Sequence, residues 1–462
     1  MRSIFTYSAR KQWKLSPTKT IALVFLFIIL LGAGLLTLPI ASRSGVSCGF
    51  RPALFTATSA TCVTGLVMYD TFTQWSAFGQ VVILSMIELG GLGFMTAASL
   101  VMFLLRKRVG LQERMIMAQA LSLNEMEGVV RLQRIVLIGS LSIQAAGALV
   151  LFLRFFPEYG VRTAAWWGVF HAVSAFCNAG FDIFGRIAPG ASAAAVQNDP
   201  VVLITLMILI ILGGLGFFVW EEVVRVKDLR KCSVYTRMVL LATLVLTVGG
   251  AALFCLLEWN NPATFGSMSA GDKILNGFFQ SVTLRTAGFA GVDQAGLTQA
   301  GKGVSLVLML VGGSSGSTAG GAKTVTMMVL MLFLAARLRG RETVRVFHRS
   351  VPQDKVLDAM TIVSILVGLA IFGAVFVSAT SPVSFTDSLF ECVSALATVG
   401  VTAGATGSLS IPAQFLIILY MYFGRVGVLT WSFPIAEVFS GVICFVFIRY
   451  AYKKEIHPLY EK

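Results

Sequence analysis

One pattern, repeated four times in one register, constrains this chain more than any other feature. Phe170 to Phe181 reads F-H-A-V-S-A-F-C-N-A-G-F, with Gly180 ten residues after Phe170. The same offset separates Phe55 from Gly65, Phe278 from Gly288 and Phe390 from Gly400, and the four glycines lie 115, 108 and 112 residues apart. A fixed period of this kind means repeated structural units. Each copy runs for about three apolar helical turns and breaks at its glycine, which predicts a short helix followed by a loop.

Composition identifies the solvent around those loops. Of 462 residues, 56% are hydrophobic and 13% charged, and the mean hydropathy is +0.82, which places the chain among integral membrane proteins. Around each loop, apolar runs long enough to span a bilayer are expected at Thr20 to Ile40, Phe78 to Leu105, Arg134 to Phe156, Pro200 to Val224, Met238 to Leu257, Gly303 to Leu338, Leu357 to Ala379 and Pro412 to Tyr450. The expected fold is therefore an all-α integral membrane protein of four units, each helix, pore half-helix, loop, helix, with eight spanning helices. The units are 20–108, 132–228, 237–340 and 356–450, between an N-terminal arm (1–19) and a tail (451–462), with an extra stretch at Gly185 to Asn198 in the second.

The net charge of +14 would suggest nucleic acid in a soluble protein, but its distribution suggests a membrane. The arm, the links at 106–134, 225–237 and 337–355, and the tail from Arg449 hold 26 of the 36 basic residues. By the positive-inside rule those segments and both termini face the cytoplasm, and the glycine loops enter from outside. A nucleic-acid partner is not needed to explain them. The seven cysteines (Cys48, Cys62, Cys177, Cys232, Cys255, Cys392, Cys444) form no C-x-x-C pair, and His171, His348 and His457 share no ligand spacing, so neither a disulfide framework nor a metal cluster is expected.

Non-helical backbone at membrane depth is tolerated where protein or a water-filled cavity satisfies its polar groups. Four such loops about a pseudo-fourfold axis would present rings of carbonyl oxygens able to replace the hydration shell of a cation, and each half-helix would aim its negative end at the centre. Glycine reaches dihedrals closed to other residues and lets backbones approach. The candidate filter segments are Cys62-Val63-Thr64-Gly65, Cys177-Asn178-Ala179-Gly180, Arg285-Thr286-Ala287-Gly288 and Ala397-Thr398-Val399-Gly400. Arg285 would block conduction if it pointed at the ion, so it is expected behind the loop as a brace.

A second repeated motif lies midway along each closing helix. Gly90-Gly91-Leu92-Gly93-Phe94 recurs as Gly213-Gly214-Leu215-Gly216-Phe217, where small residues suit close helix contacts. In the third unit it becomes Gly312-Gly313-Ser314-Ser315-Gly316-Ser317-Thr318-Ala319-Gly320-Gly321, a run of poor helix propensity expected to unwind beneath the filter as a gate. Gly316 to Thr324, G-S-T-A-G-G-A-K-T, approaches a nucleotide-binding loop but carries the extra Ala322 and follows no strand. In the fourth unit Arg425 replaces the second glycine. An arginine in the bilayer interior faces a cavity or a partner. It is expected to bind loop carbonyls within Gly312 to Gly321 and to repel ions, or else to form a salt bridge with Glu88, whose alternative expected place is lining the cavity.

The loops, notably C-N-A-G-F at Cys177 to Phe181 and R-T-A-G-F at Arg285 to Phe289, resemble those of the Ktr/Trk/HKT superfamily of potassium transporters over essentially the whole chain. With the first spanning helix starting near Thr20, the chain looks most like the membrane subunit of bacterial Ktr systems. The resemblance implies K⁺ uptake at the bacterial inner membrane through a filter with one glycine per unit, Na⁺ as an activating or coupled ion, and no cofactor. In this family a serine at the first filter glycine accompanies Na⁺ preference, so Gly65 argues for K⁺. It further implies an intramembrane gating loop in the third unit with Lys323 at its end, a homodimer, and a separate cytoplasmic nucleotide-binding subunit forming a KtrA- or TrkA-like ring. The rival class is a secondary transporter of a small solute, with a midplane site formed by broken helices. Such transporters show two inverted halves, whereas this chain has four parallel units. An enzyme is not expected, since no nucleophile–base or metal-ligand cluster is present.

Overall fold

The computed structural model describes residues 17–93, 129–341, 343–346 and 349–426. Expectations for the N-terminal arm before Pro17, most of the 106–134 link, Phe94, His348, Gly427, Cys444, the tail and His457 lie outside these residues.

Unit one comprises α1 (Pro17–Thr37), pore helix α2 (Phe50–Thr61) and α3 (Ala77–Gly91). Unit two opens with α4 (Val129–Phe176), a continuous run that turns at Gly160 (φ 75°, ψ 167°), three residues after Pro157, so that its last part is the second pore helix. Its closing element is α5 (Pro200–Leu215) and α6 (Phe217–Val226). Unit three comprises α7 (Val234–Glu258), pore helix α8 (Ala270–Thr283), α9 (Gln299–Leu310) and α10 (Thr324–Leu338). A short antiparallel pair, β1 (Arg345–Val346) and β2 (Arg349–Ser350), leads to unit four: α11 (Gln353–Thr380), pore helix α12 (Phe385–Leu396) and α13 (Ile411–Val426).

Local chemistry sets these boundaries. Ser269 and Ser384 cap α8 and α12 by accepting from the backbone N–H groups of Asp272 and Asp387, and those carboxylates accept the serine hydroxyls in return. Asp199 caps α5 with Pro200 in the first turn. The four opening helices are long and apolar enough to cross a bilayer, over Lys19–Thr37, Val130–Phe176, Val234–Glu258 and Gln353–Thr380. Their outward residues are apolar and exposed, such as Phe27 and Leu31 on α1 or Ile371 and Phe372 on α11, as lipid contact requires. The pore helices are the opposite. Phe55 to Thr61 and Ser388 to Leu396 are almost wholly buried, because each pore helix is walled in by neighbouring helices.

The closing elements are less uniform than eight equal spans would be. The expected run Pro200 to Val224 bends by 93° at Gly216. The expected run Gly303 to Leu338 is interrupted between α9 and α10. Both breaks occur in the second motif, and they touch each other.

Candidate functional site

The four pore helices end facing one another, and a left-handed dihedral occurs twice in each segment that follows. The residue two before each glycine has positive φ: Val63 55°, Asn178 58°, Thr286 65° and Thr398 50°. The glycines follow at 98°, 69°, 84° and 93°. A Cβ on Gly65 would lie 2.6 Å from the Ala179 carbonyl oxygen, one on Gly180 2.6 Å from the Gly288 Cα, and one on Gly400 2.8 Å from the Gly65 Cα. A Cβ on Gly288 would meet the Val399 oxygen at 2.7 Å. The segments thus form a closed ring in chain order, at a separation that only glycine permits.

Within the ring the hydroxyl side chains of the pore helices play two parts. Ser59 and Ser394 accept at 3.0 Å from the N–H groups of Gly65 and Gly400. In the other two units the hydroxyl donates instead, Ser174 to the Phe181 carbonyl and Thr283 to the Phe289 carbonyl. The hydroxyl oxygens of Thr64, Thr286 and Thr398 are buried with no protein partner. Arg285 turns behind its segment, reaching the Thr243 hydroxyl on α7 at 3.5 Å.

Beyond the glycines, a cavity of about 240 Å³ is lined by all four of them together with Asp70, Asp182, Ser192 and Thr402. Asp70 accepts from the N–H groups of Thr73 and Gly190. Burial pushes the Asp182 carboxyl up to about 6, with nearby Asp70 adding to the rise and the Ser192 hydroxyl and Phe184 N–H opposing it.

On the other side of the ring sits the loop between α9 and α10. Its neck is closed by a parallel bridge between Val311 and Ala322 and by Thr324, which donates its N–H to the Gly313 carbonyl and its hydroxyl to the Gly312 carbonyl. The loop's backbone is bonded into the bend of unit two: the N–H groups of Ser314 and Thr318 donate to the Gly214 and Gly213 carbonyls, and the Phe217 N–H donates to the Gly316 carbonyl. Gly216 must be left-handed for this (φ 92°), which is the physical reason for the unexpected bend in the closing helix. Two contacts join loop and ring. The Thr318 hydroxyl donates to the Phe176 carbonyl and lies 3.1 Å from Asn178 Oδ1, while Gly320 and Gly321 pack on Thr398 and Ala397. Ser317 donates to the Ser314 carbonyl and Lys323 Nζ to the Ala319 carbonyl, both within the loop.

Arg425 reaches this loop from α13. Its guanidinium donates to the Thr318 carbonyl and to the carbonyls of Gly90 and Gly91 at the end of α3. The Glu88 carboxylate faces elsewhere, accepting from Gln144 at 3.0 Å and from the Cys177 thiol at 3.3 Å. Tyr235, on the side of the basic 225–237 link, donates its hydroxyl to the Ser315 carbonyl.

Sequence reading missed Asp70, Asp182, Tyr235 and Glu391, the last of which accepts the Thr402 and Thr406 hydroxyls just past Gly400. Only Glu391 carries a signal in the sequence: aligning the four repeats puts it in the same column as His171.

Four pore-loop units around one ring, with a plugged side below it, define a multi-pass membrane transport protein. The family model described as TrkH, cation transport protein, matches residues 3–438. The potassium/sodium uptake protein NtpJ of Enterococcus hirae is 39% identical over 92% of this chain and 94% of its own length. The Ktr system potassium uptake protein B of Bacillus subtilis is 37% identical over 92% and 94%. The crystal structure of the potassium transporter TrkH from Vibrio parahaemolyticus shares the fold, with a TM-score of 0.70 at 17% identity over 91% of this chain and 85% of that one. The chain belongs to the TrkH family of cation transporters, as a KtrB-like membrane subunit rather than an enzyme.

Proposed function

We propose that the chain is the K⁺-translocating subunit of a Ktr-type uptake system at the bacterial inner membrane, with both termini cytoplasmic. The observation that carries this reading is the ring of four segments with paired left-handed residues. Alternating handedness turns successive carbonyl oxygens to one side, which supplies the ligands a dehydrated cation needs. The unpartnered hydroxyls of Thr64, Thr286 and Thr398 are further buried neutral oxygens in the same four segments. The names of the relatives support potassium as the ion. The 312–321 loop and Arg425 form the closed gate, since together they place a cation and a bonded backbone plug against the cytoplasmic end of the ring. Na⁺ is an activating or coupled ion, the assembly is a homodimer, and a cytoplasmic nucleotide-binding ring docks on the basic links.

The test is rubidium-86 uptake into proteoliposomes with K⁺ and Na⁺ as competitors, for the unmodified protein and for Gly65→Ser. Competition by K⁺ alone, relaxed by the substitution, supports the filter. No cation flux from folded protein with its partner supplied sinks it and favours a solute transporter.

A further inference from the structure

The column nine residues before each filter glycine holds Thr56, His171, Phe279 and Glu391. In units two, three and four this column faces the stretch just beyond the glycine: His171 meets Ile183, Phe279 packs beside Gly291 and Glu391 meets Thr402. Two of its members bind that stretch. His171 is fully buried, and its Nε2 accepts from the Ile183 N–H at 3.2 Å, three residues past Gly180. An amide N–H can only donate, so Nε2 must be bare and the ring proton sits on Nδ1, where it bonds the Trp167 carbonyl at 2.8 Å. The ring is also stacked on Phe184, with centroids 3.9 Å apart.

Glu391 does the same work with more donors. Its carboxylate, fully buried, receives the hydroxyls of Thr402 and Thr406, two and six residues past Gly400. Two hydroxyl donors on one buried carboxylate tie this loop to the pore helix. Because the ring closes in chain order, units two and four lie diagonally across it. In unit three the stretch is held differently, by Gln280 and Gln294 exchanging two bonds at 2.6 and 3.0 Å.

We propose that His171 and Glu391 are positioning residues that clamp the filter mouth from opposite sides and so set its discrimination between K⁺ and Na⁺. Neither touches the ion. Each acts through the backbone directly beyond its glycine, where a displacement of a few tenths of an ångström alters the width of the ring. The inference rests on the filter reading above.

The experiment is Na⁺ competition against rubidium-86 uptake for the unmodified protein, Gly65→Ser as filter control, His171→Leu, His171→Gln and Glu391→Gln, each checked for assembly by size-exclusion chromatography. His171→Leu keeps bulk but loses the acceptor, and Na⁺ should compete at least about threefold better. His171→Gln keeps an acceptor and should restore most of the discrimination. In Glu391→Gln an amide NH₂ faces a donor, so discrimination should fall as in His171→Leu. If Gly65→Ser relaxes selectivity but His171→Leu does not, or His171→Gln is no better than His171→Leu, the clamp is overturned while the filter stands. If His171→Leu fails to assemble, unchanged Na⁺ competition in Glu391→Gln overturns it alone. If Gly65→Ser also has no effect, the filter reading itself has failed.

Discussion

The ring of filter segments and the closing elements beneath it started from the same fourfold repeat and ended differently. In the ring, every unit repeats the same pair of left-handed residues, and the glycines differ only by some thirty degrees in φ. Beneath it, among the described residues, the second closing element bends by 93°, the third opens into a loop and the fourth carries an arginine. Selecting a single ion calls for equivalent ligands on all sides. Closing a path calls for something to cross it, which four identical helices leave undone. On the proposed reading, symmetry is kept where ligands are shared and lost where a barrier is needed.

The sharpest way to break the upper half of the comparison is Gly288→Ala. The left-handed conformation costs an alanine on the order of 1 kcal/mol. The contact at 2.7 Å with the Val399 oxygen then forces the neighbouring segment to move. Rubidium-86 uptake should fall by about a hundredfold with the protein still assembled, and uptake within threefold of the unmodified protein would show that the ring tolerates unequal segments.

The lower half is tested by Arg425→Ala. Hydrogen bonds from a charged group are worth about 1.5–3 kcal/mol each, and this residue makes them to Thr318 in the loop and to Gly90 and Gly91 on α3. Without the guanidinium the plug loses both a tie and a positive charge. Basal K⁺ flux should rise by about tenfold or more, and unchanged or lower flux would remove Arg425 from the barrier.

How much of this was legible in the sequence follows the same division. The ring was legible because repetition at a fixed offset identifies positions without any knowledge of packing. The loop at 312–321 was legible as unwound from its glycines and serines. Its seat was not. At the Gly216 bend the Phe217 N–H donates to the Gly316 carbonyl, about a hundred residues away, a contact that the local G-G-L-G-F pattern, whose Gly93 also has a positive φ of 82°, does not announce. The choice between Glu88 and the loop carbonyls as partner for Arg425 was open for the same reason. Asp182 and Asp70 meet only because the 185–198 stretch folds over the mouth.

A milder probe of the asymmetric layer is Tyr235→Phe. It deletes one hydrogen bond, to the Ser315 carbonyl, and leaves the ring of the side chain in place. One neutral bond is worth about 1 kcal/mol, so the closed state should weaken by about fivefold at most. Single-channel or flux recordings should show a modest rise in basal activity, in the same direction as Arg425→Ala. A fall would mean that this bond holds the open state.

The smallest effect concerns the mouth, where the charge pattern is again unequal between units. Asp182 has its pKa raised to about 6, so it is charged at pH 7.5 and neutral at pH 5. A unit charge about 10 Å from an entering cation in water is worth about 0.4 kcal/mol, or about a twofold change in apparent affinity. Acidifying the outside through pH 6 should therefore raise the KM for rubidium-86 by about twofold with kcat unchanged. Asp182→Asn should have the higher KM throughout and a flat profile across the same window. Acid unfolding at this residue does not explain such a change. With the folded pKa above that of the unfolded chain, the folded state holds the proton more tightly, so lowering the pH through this window favours the fold. A KM that stays constant in the unmodified protein would leave Asp182 as a scaffold for Phe184 and Ser192, and would extend the equivalence of the four units from the ring to its mouth.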